Sequence, residues 1–403
     1  MSTTTHRSKL KYFQLVLILG FLTALGPFSI DMYLPGFSGI AADLNTTVAK
    51  VAMTLSSYFI GISAGQLLYG PLLDRYGRKK PLFIGLMVYI LASLGCAFVT
   101  DIDTFIGLRF IQAVGSCAAT VASIAMVRDL FPVKEIPKVL SLLMLVVGLS
   151  PMLAPTIGGY VTAAYGWHVV FLILMGIGIM VLLAAQFGLP HTHEPDTSIS
   201  LKPKPIILNF WSVVREPQFY TYAFTGGIAF SGLFTYVAAS PILFMDIFKV
   251  DAKTYGWIFA FMSLSFISAS QLNSLLLRKF SSEQMIFGAL ITQSVISITF
   301  LIAAMNGLLG LYETIGMLFI FLACLGISNP NTAALTLAPF AKNAGSASAL
   351  MGAIQLGLGA FASFAVGVFV KDSMVPMVVI MMASTIVALV VLSFGKRKIT
   401  VKH

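Results

Sequence analysis

Residues 70–81 read GPLLDRYGRKKP and lie between two long apolar runs. The stretch carries five of the chain's forty charged residues: Asp74, Arg75, Arg78, Lys79 and Lys80. Gly70, Pro71 and Gly77 predict a break in helical structure on either side, so a tight turn is expected. Four cations with no apolar cover belong in water at a membrane surface, and the bias of inserted chains places that surface in the cytoplasm.

The rest of the chain agrees with a membrane setting. It has 403 residues, 58% hydrophobic and only 10% charged, with a mean hydropathy of +0.93. A soluble domain carries about 25% charged residues. A net charge of +10 raises the possibility of a nucleic-acid partner. The cations are spread over short loops, however, and no patch forms, so no nucleic acid is expected. Cys96, Cys117 and Cys324 fall inside apolar runs with neither pairing nor metal spacing, and packing is their reading. Arg7, Lys9 and Lys11 precede the first apolar run as in a signal peptide. That run continues to about Leu34 without a small-x-small site, so an uncleaved first span is expected.

A span needs about 20 apolar residues. Twelve runs qualify: 12–34, 49–71, 81–100, 104–128, 138–160, 168–189, 218–243, 254–276, 285–305, 313–336, 347–370 and 375–395. Between the sixth and seventh lies the one long polar segment, 190–217, with five prolines and two histidines. It divides the chain into an N-terminal six-helix half, 1–189, and a C-terminal half, 218–403. The expected fold is therefore all-α, with twelve membrane helices in two halves and both termini in the cytoplasm. Twenty Lys and Arg then fall on the cytoplasmic side and four opposite, while the acids outside the spans divide seven and seven. A bias confined to Lys and Arg is what membrane insertion produces. Repetition between the halves is weak: LLLRKFSSEQ at 275–284 keeps Arg278 and Lys279 but not the Gly and Asp pattern.

Two charges remain inside spans, Asp31 and Arg109. Each costs about 2.5–3.5 kcal/mol at mid-span on insertion scales. Such groups face a bundle interior or a wet cavity, and a carboxylate opened to each side in turn can carry a proton. The bland alternatives are a wetted Asp31 at its span's outer end and an Arg109 anchored to headgroups. Gln112 is one turn from Arg109 and shares its face. Asn329 and Asn331 bracket Pro330 in the tenth span. These three amides are candidate cavity residues.

The ordered Gly, Asp-Arg and Gly-Arg-Lys-Lys of 70–81 resemble the loop after the second span in the major facilitator superfamily of transporters. Further motifs are GPFSIDMYLPGF (26–37), LRFIQAVGSCAA (108–119), VRDLF (127–131), GLSPMLAPTIGG (148–159), LGISNPNTAALTL (325–337) and AGSASALMGAIQLGLGA (344–360). Together they resemble the Bcr/CflA branch of drug:proton antiporters, the bicyclomycin- and chloramphenicol-resistance type. The resemblance covers nearly the whole chain. It implies proton-coupled export of small, partly apolar drugs across a bacterial inner membrane, driven by the proton gradient without a cofactor or metal. Its partners would be the drug, protons and the lipid bilayer, and a monomer is expected. It further implies that Asp31 and Arg109 couple protons, and that Asp74, Arg75, Arg78, Arg128 and Asp129 form a cytoplasmic latch. The Gly-Pro-rich fifth span, with Gly148, Pro151, Pro155, Gly158 and Gly159, is associated with antiport. Physically, these residues remove backbone hydrogen bonds and bulk, permitting bending and close packing. A transporter of one specific metabolite is the alternative. An intramembrane enzyme lacks its reactive constellation, and a channel lacks a filter loop.

Some features depart from that pattern or distract from it. His168 in YGWHVVF stands where relatives carry Arg, and reads as an interfacial aromatic or a pH-sensitive contact. His191 and His193 read as solvated. GISAG at 61–65 matches a hydrolase elbow, but that motif needs a strand–turn–helix setting. Gly61 and Gly65 read instead as a small-residue packing face. NTT at 45–47 matches a glycosylation acceptor on the outer side.

Overall fold

A computed structural model describes residues 9–132, 134–190, 203–340, 344–370 and 373–400. His191, His193, Lys202, Lys342 and Lys371 lie outside them. The described chain contains fourteen α-helices: α1 (Lys9–Asp31), α2 (Phe37–Asp43), α3 (Val48–Tyr76), α4 (Lys79–Ala97), α5 (Ile102–Leu130), α6 (Ile136–Tyr165), α7 (Trp167–Gly188), α8 (Pro203–Val214), α9 (Pro217–Pro241), α10 (Ala252–Leu276), α11 (Ser282–Met305), α12 (Leu311–Leu337), α13 (Ala344–Phe369) and α14 (Val375–Thr400). A 3-10 turn (Leu34–Gly36) joins α1 to α2, and a π-helical segment (Ile242–Ile247) extends α9.

Twelve of these helices are long and apolar enough to cross a membrane. Helices serve here because each satisfies its own backbone groups where no water can. Their ends are set by side chains that satisfy the first orphan amides. Asp101 accepts from the Thr104 amide at 2.8 Å to start α5. Asp251 accepts from the Lys253 and Thr254 amides at 3.0 and 3.1 Å to start α10. Ser281 and Gln284 make a reciprocal capping box on α11. Large apolar side chains such as Leu68, Leu145, Phe187, Trp257 and Phe361 are exposed, and lipid is their natural solvent.

The structure corrects the expected turn. Gly70 and Pro71 do not end the second span, because α3 runs through both to Tyr76. Only Gly77, with φ of +79°, and Arg78 separate it from α4. Membrane helices tolerate proline because neighbours resatisfy the freed carbonyl. Asp74 and Arg75 are thus helical residues. The 190–217 segment is not wholly loop either, since α8 occupies Pro203–Val214. The first span also runs on past 34, through α2 to Asp43.

Helices α1 and α3–α7 pack on one another, as do α9–α14. Two long seams connect the groups, α3 against α13 and α6 against α10. Small residues allow close approach within a group and across the seams. A Cβ on Gly61 would sit 2.7 Å from both the Ala113 side chain and the Phe110 carbonyl, and one on Gly65 would press on Cys117. The 61–65 run is therefore the α3–α5 contact, inside a helix. All three cysteines are buried and unpaired.

Candidate functional site

Asp31 closes the last turn of α1, where the α-helix gives way to the 3-10 turn at Pro35. The residue is 5% exposed. Among the described residues, none hydrogen-bonds or ion-pairs with its carboxylate. Two tyrosines from the second group of helices, Tyr236 of α9 and Tyr255 of α10, lie within electrostatic range of it. Tyr236 is buried and its hydroxyl has no partner, whereas Tyr255 pairs with Ser240 at 2.8 Å. The 3-10 turn that follows touches both α6 and α10. Asp31 therefore stands inside the protein, where four helices meet, and not at a wetted outer end.

The Gly-Pro helix supplies one wall of this meeting point. Gly158 faces the Met32 backbone, Gly159 faces the Ala252 carbonyl, and Gly256 of α10 fits against Pro155 and Thr156. Thr156 Oγ1 donates to the Met152 carbonyl at 2.8 Å and reaches the Gly256 carbonyl at 3.2 Å. Pro151 and Pro155 lie inside α6, and Gly148 is in ordinary contact range of Ile267.

Arg109 is fully buried in the first group. Its guanidinium carbon lies 4.3 Å from the ring centroids of both Tyr33 and Tyr58. One terminal nitrogen donates to the Ser29 carbonyl at 2.9 Å, and the other to Gln112 Oε1. The Nε has no partner. Two aromatic faces stabilise a desolvated cation by up to about 2 kcal/mol or more each. Each ring is itself fixed: Tyr33 pairs with Thr54 at 2.7 Å and Tyr58 with Ser116 at 2.8 Å. No described carboxylate pairs with Arg109, and Asp31 is not its partner. The link between the two runs through backbone, because Ser29 is two residues before Asp31. The headgroup-anchor reading does not hold.

The three amides separate. Gln112 is fully buried between Arg109 and Ser93, to which it donates at 2.8 Å, so it is an orienting partner and does not line a cavity. Asn331 is also buried, donating to Asn273 Oδ1 of α10 at 2.6 Å and to the Ile327 carbonyl at 2.8 Å. Only Asn329 is half-buried, and it accepts from Gln355 Nε2 of α13 at 3.0 Å.

At the end of the bundle marked by Gly77, Arg78 bridges two acids. Its Nε donates to Asp129 at 2.8 Å and a terminal nitrogen donates to Asp74 at 2.5 Å. Burial opposes the charge on Arg78, but these bonds outweigh it and hold its pKa above the ordinary value. The bridge ties the α3–α4 turn to the end of α5, within one group of helices. The Arg75 guanidinium lies 5.8 Å from the Tyr76 ring, and Arg128 is exposed. At the opposite end Ser38 of α2 donates to Asp246 at 3.2 Å, beside a cavity of about 640 Å³ that also meets Thr47 and Lys249. His168 stacks on Trp167 with centroids 3.8 Å apart. No described group of His, Cys, Asp and Glu could hold a metal ion.

Sequence reasoning missed Tyr33, Tyr58, Ser29 and Ser93 around Arg109, and Tyr236 and Tyr255 near Asp31. It also missed Asn273 and Gln355. The available signal was a hydroxyl or amide inside an apolar run, which must face protein and not lipid.

Known proteins share this architecture. The model of the Major Facilitator Superfamily matches residues 19–366. A bicyclomycin resistance protein homolog from Haemophilus influenzae is 32% identical over 382 residues, covering 95% of this chain and 96% of that protein. The multidrug resistance protein MdtL of Klebsiella pneumoniae (strain 342) is 29% identical, covering 92% and 93%. The crystal structure of a D-xylose-proton symporter superposes with a TM-score of 0.74 at 15% identity, covering 94% of this chain and 97% of that one. At that identity the likeness is one of fold.

Proposed function

The chain belongs to the major facilitator superfamily as a multi-pass membrane transporter, and on that premise we propose that it exports small, partly apolar drugs from the cytoplasm in exchange for protons. The names of the relatives matched over nearly their full lengths, bicyclomycin resistance and multidrug resistance, support the drug class. The observation that carries the proton is Asp31, a carboxylate enclosed where α1, α6, α9 and α10 meet and held by no cation among the described residues. A charge sealed at mid-span is costly. Asp31 therefore takes a proton when open to the outside, crosses neutral, and releases it to the cytoplasm as drug enters. Arg109 fixes the last turn of α1 through the Ser29 carbonyl.

In this reading residues 1–189 and 218–403 are the two moving halves, and 190–217 is their tether. The α3–α13 and α6–α10 seams open and close in alternation. Arg78, Asp74 and Asp129 stiffen the cytoplasmic end of the first half, with Arg75 and Arg128 beside them. The protein works as a monomer and draws on the proton gradient with no cofactor. The test is a drug-susceptibility panel with and without the gene, repeated with an uncoupler. Protection that the uncoupler removes is expected. Unchanged susceptibility across the panel, with uptake or release of a single metabolite, would replace drug export by metabolite transport.

A further inference from the structure

Tyr33, Tyr58, Tyr89, Tyr222, Tyr236 and Tyr255 are among the largest fully buried side chains. Each brings one hydroxyl proton, and burial demands an acceptor for it. Tyr33 faces Thr54 at 2.7 Å, and Thr54 already donates to the Val51 carbonyl, so the tyrosine is the donor. By the same reasoning Tyr89 donates to Ser29, Tyr58 to Ser116 and Tyr255 to Ser240, because those serines donate to the Leu25, Ala113 and Val237 carbonyls. Tyr222 donates to Glu283 at 2.9 Å. Of these six, Tyr236 keeps its proton unspent, and its oxygen is sealed from solvent.

A donor without an acceptor therefore lies within electrostatic range of Asp31, an acceptor without a donor. The Tyr236 ring is stacked on Phe259 of α10, with centroids 5.5 Å apart, so its hydroxyl moves with the second group of helices. Asp31 moves with the first, because α1 packs on α5, α6 and α7. The separation of the pair thus follows how the two groups stand to one another. Tyr255 and Tyr33 are the other titratable groups about the pair, each with its proton committed, and no described cation acts on Asp31 or Tyr236. A buried carboxyl without a bond is tolerable while neutral. Ionised, it is a bare charge and far costlier.

We propose that Tyr236 is a positioning residue that donates to Asp31 once the acid has lost its proton, joining α1 to α9 across the two halves. This rests on the proton-carrying role proposed above for Asp31 and supplies its partner in the other half. The tyrosine keeps its own proton throughout, so no charge is created on it. An exchanger must not reorient with nothing aboard, or protons leak inward without drug leaving. The bond forms in that empty, ionised state and holds the halves. A proton on Asp31 ends it by discharging the acceptor, and a drug ends it by entering between the halves.

The experiment uses the full chain in lipid nanodiscs, without drug, spin-labelled at Thr100→Cys and Leu308→Cys. Both positions are exposed, one in the α4–α5 turn of the first half and one in the α11–α12 turn of the second. Cys96, Cys117 and Cys324 are buried and stay native. Double electron–electron resonance should give one narrow distance in alkaline buffer and a broad distribution in acid. Tyr236→Phe keeps the ring and its stacking, and should give the broad distribution in both buffers. Losing one hydrogen bond to a charged group should lower the ratio of held to free molecules about tenfold. Asp31→Asn should behave alike, and the double variant should match the single ones. In proteoliposomes with a pH gradient and no drug, Tyr236→Phe should leak protons faster than the wild type, which a packing defect alone would not produce. A Tyr236→Phe variant that keeps the acid–alkaline difference overturns the proposal, as does a wild type that shows none. In either case drug export, read by the susceptibility panel, stands. If the distances respond as expected and the panel finds no drug, the lock stands and the export reading fails.

Discussion

Gly158 of α6 faces the Met32 carbonyl, one residue beyond Asp31, so closely that any side chain at 158 must push the two apart. The helix with two internal prolines and the turn that holds the buried acid are therefore one mechanical unit. Gly158→Ala is expected to cost about 1–3 kcal/mol through overpacking. Gradient-driven transport should fall further than thermal stability in detergent, because the displaced Met32 backbone is joined directly to Asp31. Equal losses of both would make Gly158 a packing residue alone.

Asp31→Asn keeps the shape of the side chain and removes its charge. Uptake driven by a pH gradient in everted vesicles should disappear, while insertion and drug binding persist. Normal gradient-driven uptake by this variant would remove Asp31 from the proton path.

Arg109→Lys should impair transport nearly as much as Arg109→Ala. An ammonium cannot lie flat between Tyr33 and Tyr58 while also reaching Ser29 and Gln112. Tyr58→Phe, which keeps the ring and drops the hydroxyl bond to Ser116, should be mild by comparison. Loss restricted to anionic drugs would instead make Arg109 a counter-ion for substrate.

The two acids on Arg78 should differ in weight. The side chain of Asp129 is 17% exposed and that of Asp74 47%, against 12% for that of Arg78. Exposed pairs contribute about 0–1 kcal/mol, whereas breaking an enclosed pair leaves a charge stranded. Asp129→Asn is therefore expected to lower transport and thermal stability more than Asp74→Asn. Neither substitution removes a topogenic cation, so insertion should be normal. The reverse ranking, read by vesicle uptake, would shift the latch to Asp74 and its contacts beyond Arg78.

Asp251 links pH to the α6–α10 seam. Its carboxylate accepts from the Thr254 hydroxyl at 2.6 Å and from the Thr254 and Lys253 amides, which hold its pKa below the usual range. A depressed native pKa means that the stabilisation is complete above the unfolded value and is lost as pH falls through the native one. Asp251→Ala should cost about 1 kcal/mol near neutral pH. The gap in melting temperature between variant and wild type should close as the pH drops below the native pKa. A gap that stays constant into acid would assign the effect to something other than the cap.

The spans were legible because bilayer thickness leaves few other readings of a long apolar run. The end of α3 was not, because Pro71 breaks helices in water and not among packed neighbours in lipid. Arg109 was legible as a costly charge, but its solution was not. Reasoning from charge looks for an acid, and hydropathy counts Tyr33 and Tyr58 as part of the apolar background. Gln112 shared the right face for a cavity and turned out to be the partner that orients Arg109. Asn331 needed Asn273, 58 residues away, and no local pattern announces such a pair. Asp31 was found by its solitude in the sequence, and what the fold adds is the set of helices that enclose it.

Cys96, Cys117 and Cys324 are buried and unpaired, with the Cys117 sulfur turned toward the Ile62 carbonyl at 3.5 Å. A thiol packed this way is hidden from oxidants, glutathione and maleimide reagents alike. The protein's activity should accordingly be indifferent to the redox state on either side of the membrane. On the proposed reading, a cell under oxidative attack would keep drug export running for as long as it could keep a proton gradient.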